Sequence, residues 1–581
     1  MHLVPGYPVS LGTLVAGADT EDGAPALLTD VSTPSGTRNV LFLTTKNGRI
    51  MAIDAAAGTL VWTQRPATGP NYTTSSPAID PNRQFVYSYG LQGKVHKYQV
   101  GDGTEITTGG WPQTATLKPS VEKGSSALSF ATAASGTTYL YCANGGYPGD
   151  AGDYQGHVTT INLTDGTQKV FNVSCSDLAS HFVLNGTEGV NDCPNHPQNA
   201  IWARPGVVYD AVSDRIYMAT GNGDYDANQS TGDTHEWGDT VFALHADATG
   251  SAGRPLDSYT PTNFQALQDA DADLGSTNPV LLPMPAGSLY PHVAAQSGKD
   301  GMIRLVNLDD MSGQGGPGHT GGELQLTGVL QGGEVLSAPA VWVDPQTSTT
   351  WMFVTNDNGI SALSVGLATG VPVLALGWQD NTVGGRTSPI VANGILYYET
   401  SGGVVAYGPT DGTVLWSQNA VTFGATHWES PIVVNGRIYF TDESAQLWAY
   451  EPAPPALHYF TVAPCRLVDT RRPNGTWGGP ALVGGGAVRA FPVAGQCGVD
   501  PGAVAVAVNA TIAGPTNGGD IRLFPAGPSP SVSTLNFNAG RTRANNAIVS
   551  LTGSPVGSIA VQSDLFPGTT NFLLDVVGYF K

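Results

Sequence analysis

Short apolar strands, each running into a polar turn and a glycine, recur along the first three quarters of the chain. The clearest copies are residues 48–62, GRIMAIDAAAGTLVW, and residues 402–416, GGVVAYGPTDGTVLW. Weaker copies occupy residues 93–104, 156–167, 238–250, 301–313, 359–370 and 445–452. Strands and turns that recur at roughly 40 to 80 residues are typical of a β-propeller. The pattern therefore predicts an all-β fold with one copy in each blade.

A second series of short segments, most of them with a proline, interleaves with the first. Proline suits the first residue of a strand because no ladder hydrogen bond is lost there. Both series number eight, so we predict an eight-bladed β-propeller with four strands in each blade. The second series lies at Pro25, Pro77, Ala127, Pro205, Pro279, Pro339, Pro389 and Pro431.

The amino-terminal segment is predicted to close the ring. Residues 6–11, GYPVSL, resemble the outermost strand signal GWP at residues 110–112, yet they precede the first blade. We therefore expect them to pair beyond residues 447–450 and to complete the last blade. Such closure removes the open sheet edges that a linear stack would leave exposed.

The pattern of apolar, polar and turn residues changes after the last repeat. We place the propeller at residues 1–452, a proline-rich linker at 453–457 and a second module at 458–581. The second module has short alternating strands and Gly/Pro turns without the repeat, which predicts a compact β-sandwich-like fold.

Composition excludes several classes of partner. The net charge is −21 and only 12% of residues are charged. An acidic surface repels phosphate backbones, so nucleic acid is excluded as a partner. No apolar run reaches 18 residues, so we predict no membrane span.

The five cysteines predict an oxidising compartment. Cys175 and Cys193 flank one polar loop and Cys465 and Cys497 another, so we predict two local disulfides and a free, buried Cys142. The first ten residues lack the pattern of a secretion signal. We expect that such a signal has been removed from a secreted, periplasmic or cell-surface protein.

Two polar motifs suggest ligand binding. Asp224, Asp226 and Asn228 alternate as oxygen ligands of calcium do, although Gln229 and His235 stand where an EF-hand needs Gly and Glu. A calcium site of another type and a solvated acidic loop both stay open. In residues 235–237 and 427–429 a tryptophan lies beside His and Glu, which suits sugar stacking, but we expect Trp428, just before an inner strand, to be a core residue.

The repeat, in its best copy AIDAAAGTLVW at residues 52–62, resembles the PQQ-type repeat. That family includes eight-bladed quinoprotein alcohol dehydrogenases and many non-catalytic propellers. Residues 216–222, IYMATGN, are similar to the dehydrogenase segment that ends in a calcium-binding Asn, which implies Asn222 as a metal ligand.

The same resemblance implies a catalytic aspartate. Asp271 and Asp273 match the Asp-x-Asp stretch in which the first residue is the base and the second is an extra ligand where a lanthanide replaces calcium. Residues 296–307, QSGKDGMIRLVN, resemble the strand whose cation contacts the quinone, here Lys299, and Trp202 lies in the region of the stacking tryptophan.

The chain departs from that family at two points. Residues 145–156 have no Glu where the family has a metal ligand, so Asp150 and Asp153 are the alternatives for that ligand. The adjacent Cys-Cys pair found in many members does not occur in this chain. Residues 464–471, PCRLVDTR, and 573–580, LLDVVGYF, resemble a module at the ends of secreted bacterial proteins, for which no catalytic role is expected.

Three functions follow as hypotheses. The first is a binding or scaffold propeller whose partner is a polysaccharide or another surface protein, with calcium as a possible cofactor. The second is a dehydrogenase that uses PQQ and a metal to oxidise an alcohol or a sugar. The third is a polysaccharide lyase or hydrolase.

Overall fold

The computed structural model describes residues 1–69, 71–177, 193, 195–230, 234–418, 423–453, 457–552, 556–565 and 567–581. The chain divides into two compact units, Met1–Pro452 and Ala453–Lys581. Most of the predicted linker, residues 454–456, lies outside the described part. Nearly all regular structure is β, which confirms the predicted all-β class.

The first unit begins with two short strands and one helical turn, followed by two regular sheets. The opening elements are β1 (His2–Leu3), β2 (Val9–Ser10) and α1 (Leu11–Leu14). Sheet 1 contains β3 (Ala26–Thr33), β4 (Gly36–Thr44), β5 (Ile50–Asp54) and β6 (Leu60–Gln64). Sheet 2 contains β7 (Ala78–Ile79), β8 (Phe85–Gly90), β9 (Lys94–Gln99) and β10 (Gln113–Thr114).

Sheets 3 and 4 carry the longest connections of the first unit. Sheet 3 contains β11 (Glu122–Gly124), β12 (Ser129–Thr132), β13 (Thr138–Gly146), β14 (His157–Asn162) and β15 (Gln168–Asn172). Sheet 4 contains β16 (Val208–Asp210), β17 (Arg215–Ala219), β20 (Val241–His245) and β21 (Asp257–Tyr259), with the hairpin β18 (Tyr225–Asp226) and β19 (Glu236–Trp237) inserted. The helix α2 (Phe264–Asp269) and a 3₁₀ turn, Leu274–Ser276, follow sheet 4.

Four further sheets complete the first unit. Sheet 5 contains β22 (Val280–Pro283), β23 (His292–Ser297), β24 (Met302–Asn307) and β25 (Gln325–Gly328). Sheet 6 contains β26 (Ala340–Val343), β27 (Thr350–Asn356), β28 (Gly359–Ala368) and β29 (Val371–Asp380). Sheet 7 contains β30 (Ile390–Ala392), β31 (Ile395–Thr400), β32 (Gly403–Tyr407) and β33 (Val414–Gln418). Sheet 8 contains β34 (Ile432–Val434), β35 (Arg437–Thr441) and β36 (Gln446–Glu451), and both β1 and β2 pair with β36.

The repeated Asp and Gly have local structural roles. Asp54 accepts hydrogen bonds from the backbone N–H groups of Ala56 and Ala57, at 2.9 and 3.2 Å, and so forms an Asx turn. Gly103 in the next copy has φ +71°, and a Cβ there would lie 2.6 Å from the ring of Trp62. The glycine therefore permits the turn and leaves room for the tryptophan of the preceding sheet. This packing explains why the sequence repeat recurs with the sheets.

The second unit consists of two antiparallel sheets around one apolar core. One contains β37 (Tyr459–Asp469), β38 (Leu482–Val483), β40 (Ala505–Ala513), β43 (Arg543–Ser550) and β45 (Thr569–Phe580). The other contains β39 (Val488–Pro492), β41 (Gly519–Pro525), β42 (Leu535–Phe537) and β44 (Ser558–Ser563). Two sheets that share a core are the arrangement of a β-sandwich. In the described part of the chain, neither helix is long and apolar enough to cross a membrane.

Both predicted disulfides are confirmed. Cys175 is bonded to Cys193 and Cys465 to Cys497, and Cys142 is a buried free thiol. The second disulfide joins residues 32 positions apart within the C-terminal unit.

Replacing Cys465 and Cys497 together by serine should lower the unfolding free energy of the C-terminal unit by about 3 to 4 kcal/mol. The loss arises because the unfolded chain is no longer restrained by the loop. Scanning calorimetry of the full chain measures it, and Cys142→Ala, which removes only a free thiol, is the control. An unchanged melting profile of the double variant would contradict the prediction.

Candidate functional site

A cavity of about 550 Å³ collects most of the residues that the sequence singles out. Asn222, Asp271, Asp273, Lys299 and Trp202 all line it, although they come from four separate stretches of the chain. A larger surface cavity, of about 700 Å³, lies along sheets 1 and 2 and contains none of these residues. The smaller cavity is therefore the candidate site.

The acidic half of the cavity is built around Asp273. Its side chain is 5% exposed, and its Oδ1 accepts a hydrogen bond from the backbone N–H of Asn222 at 2.6 Å. A Cβ on Gly221 would lie 2.3 Å from that oxygen and 3.0 Å from the indole nitrogen of Trp202. Only glycine at position 221 therefore leaves room for both of these side chains beside it.

Lys299 links the two aspartates. Its Nζ forms an ion pair with Asp273 and lies 3.2 Å from Oδ1 of Asp271, whose side chain is 68% exposed. Burial alone would lower the pKa of Lys299, but Asp273 and Asp271 raise it above its ordinary value. The same ammonium lies 5.4 Å from the ring centre of Trp202, within the range of a cation–π contact.

The structure distinguishes between the two aspartates left open by the sequence. The amide of Asn222 donates to Oδ2 of Asp150 at 3.1 Å, and the hydroxyl of Tyr154 donates to the other oxygen at 2.6 Å. Asp153 instead pairs with Lys118 at 3.2 Å. Asp150 is therefore the carboxylate that accompanies Asn222.

The opposite half of the cavity is basic and was not predicted. Arg204 lies 4.1 Å from the ring centre of Trp428 and 3.4 Å from Oδ2 of Asp22. Nδ1 of His427 lies 3.0 Å from the same oxygen. Burial would raise the pKa of Asp22, but Arg204, His427 and a lysine outweigh it and hold that pKa well below its ordinary value.

The tryptophans of the two His/Trp/Glu segments differ. Trp237 is fully buried, as expected for a core residue. Trp428 lines the cavity, where it packs against Trp202 with ring centres 5.5 Å apart. The expectation that Trp428 is a core residue is therefore wrong, because the segment before sheet 8 turns its side chain toward the cavity.

The remaining predicted ligands lie elsewhere. Asp224, Asp226 and Asn228 belong to the hairpin of β18 and β19, outside the residues that line the cavity. Oδ1 of Asp226 accepts from the backbone N–H and the hydroxyl of Ser230, at 2.6 and 2.8 Å, and the amide of Asn228 donates to the carbonyl of Gly318. The side chains of Asp226 and Asn228 therefore make hydrogen bonds within the described part of the protein, and calcium binding there stays a prediction.

A buried carboxyl beneath the acidic half makes stability depend on pH. Asp239 accepts from the backbone N–H of Leu274 at 2.9 Å, and burial raises its pKa from 3.8 to about 8. The folded state therefore keeps a proton that the unfolded state releases, so stability falls as pH rises between these values.

Asp239→Asn should remove this part of the pH dependence, which amounts to at most about 1.4 kcal/mol per pH unit. Asparagine keeps the acceptor for Leu274 and tolerates the φ of +44° at this position. Urea unfolding at about pH 5 and about pH 8 measures the slope. If the unfolding free energies of the variant and the parent changed with pH in parallel, Asp239 would be ionised in the folded state.

Comparisons with known proteins give the family and the fold. A family model described as outer membrane protein assembly factor BamB matches residues 12–248 and 343–454. No curated protein sequence matches the chain. The solved quinohemoprotein alcohol dehydrogenase from Comamonas testosteroni is 14% identical with a TM-score of 0.50, covering 79% of this chain and 78% of its own.

Two other solved structures show weaker similarity. The quinohemoprotein alcohol dehydrogenase from Pseudomonas putida HK5 is 15% identical with a TM-score of 0.49, over 79% of this chain and 78% of its own. BamB from Moraxella catarrhalis is 11% identical with a TM-score of 0.43, over 78% of this chain and 100% of its own. At such identities a likeness shows the fold alone. On the family match, the chain belongs to the PQQ-repeat β-propeller family whose model carries the BamB description.

Proposed function

We propose that this propeller binds a quinone cofactor of the PQQ type together with a hard cation, and oxidises an alcohol or a sugar. The observation that carries the proposal is the convergence of Asp150, Asn222, Asp271, Asp273 and Lys299 on one cavity. The donors are carboxylate and amide oxygens, which calcium and related cations prefer. These residues come from four separate stretches of the chain, which the fold brings together at this cavity.

The other side chains of the cavity also fit a planar anionic group. Trp202 offers an aromatic face, and Arg204 and Arg386 supply positive charge in the same cavity. Asp150, Asn222 and Asp273 would hold the cation, while Trp202 and the basic residues would hold the quinone. The bound group would supply the two-electron acceptor and a Lewis acid.

Asp271 would be the general base. Its Oδ1 is held by Lys299 at 3.2 Å, which orients the carboxylate and leaves Oδ2 to accept the proton of the substrate hydroxyl. Its exposure at the mouth of the cavity suits contact with a diffusing substrate. Asp273, which is buried and paired, is the less suitable of the two for proton transfer.

We also propose that the eight sheets are blades of one closed ring. The register Val9↔Leu447 adds the amino-terminal segment to the last sheet. The same segment packs on the first sheet, because Tyr7 donates from its hydroxyl to the carbonyl of Ala55 at 3.1 Å and Val9 lies over Gly58. These contacts link the two ends of the series, as ring closure requires.

A binding or scaffold role is the second candidate. The family match carries the description of an assembly factor, which favours a protein partner. A polysaccharide partner has no such support, and neither has a lyase or hydrolase. The two disulfides favour a location outside the cytoplasm for either function.

Dye reduction separates the two candidates. The purified chain is incubated with PQQ and either calcium or lanthanum, and dye-linked oxidation of primary alcohols and aldoses is then measured. The dehydrogenase proposal expects turnover that requires both the quinone and a cation. No turnover with any substrate, despite saturating quinone and either cation, would favour the scaffold.

A further inference from the structure

Lys123 is a buried amine that the proposed oxidation does not use. It lies in β11, its residue is 5% exposed, and it lines the cavity on the basic side. Its Nζ donates to the hydroxyls of Thr74 and Ser125, at 3.3 and 3.1 Å. Among the described residues, no carboxylate lies within ion-pair distance of this nitrogen.

A second cation occupies the same polar patch. Nη1 of Arg204 donates to the hydroxyl of Thr74 at 2.9 Å and to the carbonyl of Ser125 at 3.1 Å. Lys123 and Arg204 therefore share one hydroxyl acceptor, and their like charges repel. Arg204 is itself paired with Asp22 and a guanidinium keeps its proton, so the lysine is the group that can lose one.

A lysine that is desolvated and next to another cation is an activated nucleophile. Burial and Arg204 lower the pKa of Lys123 to about 7, against the opposing effect of Asp22. The ring of Tyr72, 5.4 Å from Nζ, forms the remaining wall, and Asp22, Arg204 and Tyr72 are the charged and titratable groups that face the amine. At neutral pH the neutral fraction of such an amine exceeds that of an ordinary lysine by on the order of a thousandfold.

We propose that Lys123 forms a reversible imine with a small aldehyde or ketone that carries an anionic group. The neutral Nζ attacks the carbonyl carbon, the carbonyl oxygen takes up a proton, and the nitrogen loses one. The resulting hydroxyl leaves as water while the C=N bond forms, so one amine and one carbonyl give one imine and one water. Arg204 and Arg386 line the same cavity and supply the charge that would attract the anionic group.

Reductive trapping tests the inference without any quinone, so its failure would not affect the proposed oxidation. The full chain is treated with glyoxylate and cyanoborohydride, and the modified lysines are mapped by peptide mass spectrometry. We expect modification of Lys123 at neutral pH at least about tenfold faster than of Lys118, which is equally buried but paired with Asp153. Glycolaldehyde, which is neutral, should modify Lys123 more slowly than glyoxylate.

The pH profile and two variants complete the test. The rate at Lys123 should reach half its maximum near pH 7, in line with the pKa given above. Lys123→Arg should abolish the adduct while keeping the charge, and Arg204→Met should move the midpoint to higher pH. Modification of Lys118 and surface lysines with Lys123 untouched would overturn the proposal, as would equal rates with glyoxylate and glycolaldehyde.

Discussion

Replacing Asp271 by asparagine should lower dye-linked alcohol oxidation by roughly a hundred- to ten-thousandfold, the usual contribution of a general base. The amide keeps an oxygen for Lys299 but cannot accept the substrate proton at neutral pH. Quinone and cation binding should persist, because Asp150, Asn222 and Asp273 are unchanged. The measurement is turnover number set beside the dissociation constant of the quinone for the same preparation.

Asp269→Asn is the matched control for this experiment. Asp269 precedes Asp271 by two positions at the end of α2, is exposed, and accepts a hydrogen bond from Gln265 at 2.9 Å. It lies outside the residues that line the cavity, so its variant should keep the parental turnover. Equal turnover of the Asp271 variant and the parent would show that Asp271 takes no part in the reaction.

Asp300→Ala should lower the unfolding free energy of the first unit by about 3 to 5 kcal/mol, because it leaves a buried charge unpaired. Arg304 is 1% exposed, and its guanidinium makes two hydrogen bonds to the carboxylate of Asp300, at 3.2 and 2.5 Å. Urea unfolding followed by tryptophan fluorescence measures the loss.

The exposed pair of Asp357 and Arg386 gives the control. Their nitrogen and oxygen lie 2.8 Å apart, but the side chains are 57% and 40% exposed. Such a surface pair contributes about 1 kcal/mol or less, so Asp357→Ala should change stability little. Equal losses of unfolding free energy in the two variants would show that burial does not determine how much the Asp300–Arg304 pair contributes to stability.

The all-β class and the repeat were predictable because the repeat encodes packing that is local to each turn. Asp54 forms its turn with the next residues, and Gly103 admits the ring of Trp62. The chain therefore needs both residue types each time a sheet meets its neighbour. The disulfides were predictable for a similar reason, since each pair of cysteines flanks a single loop.

The candidate site was predictable only where a short segment carries its own pattern. Asn222 and Asp271 stand in such segments, whereas the choice between Asp150 and Asp153 depends on the long loop that brings Tyr154 to one of them. The basic half joins residues near positions 22, 123 and 204, and no sequence pattern connects such distant positions.

The alternation at residues 224–230 leaves two interpretations open. Spacing alone suggests converging oxygen ligands, but a hairpin tip also uses such residues for its own turn. Asp226 accepts hydrogen bonds from Ser230, and Asn228 donates to the carbonyl of Gly318 in another segment of the chain. Local hydrogen bonding of this kind competes with metal binding, and the sequence does not distinguish the two.

The most direct test of the proposed cofactor site is an equilibrium titration of the chain with PQQ, followed by quenching of tryptophan fluorescence, with and without calcium or lanthanum. We expect saturable binding of one quinone per chain that requires a cation and is lost in Asp273→Ala and Trp202→Phe, but not in Asp269→Asn. Absence of saturable binding with either cation, or binding that survives Asp273→Ala, would contradict it.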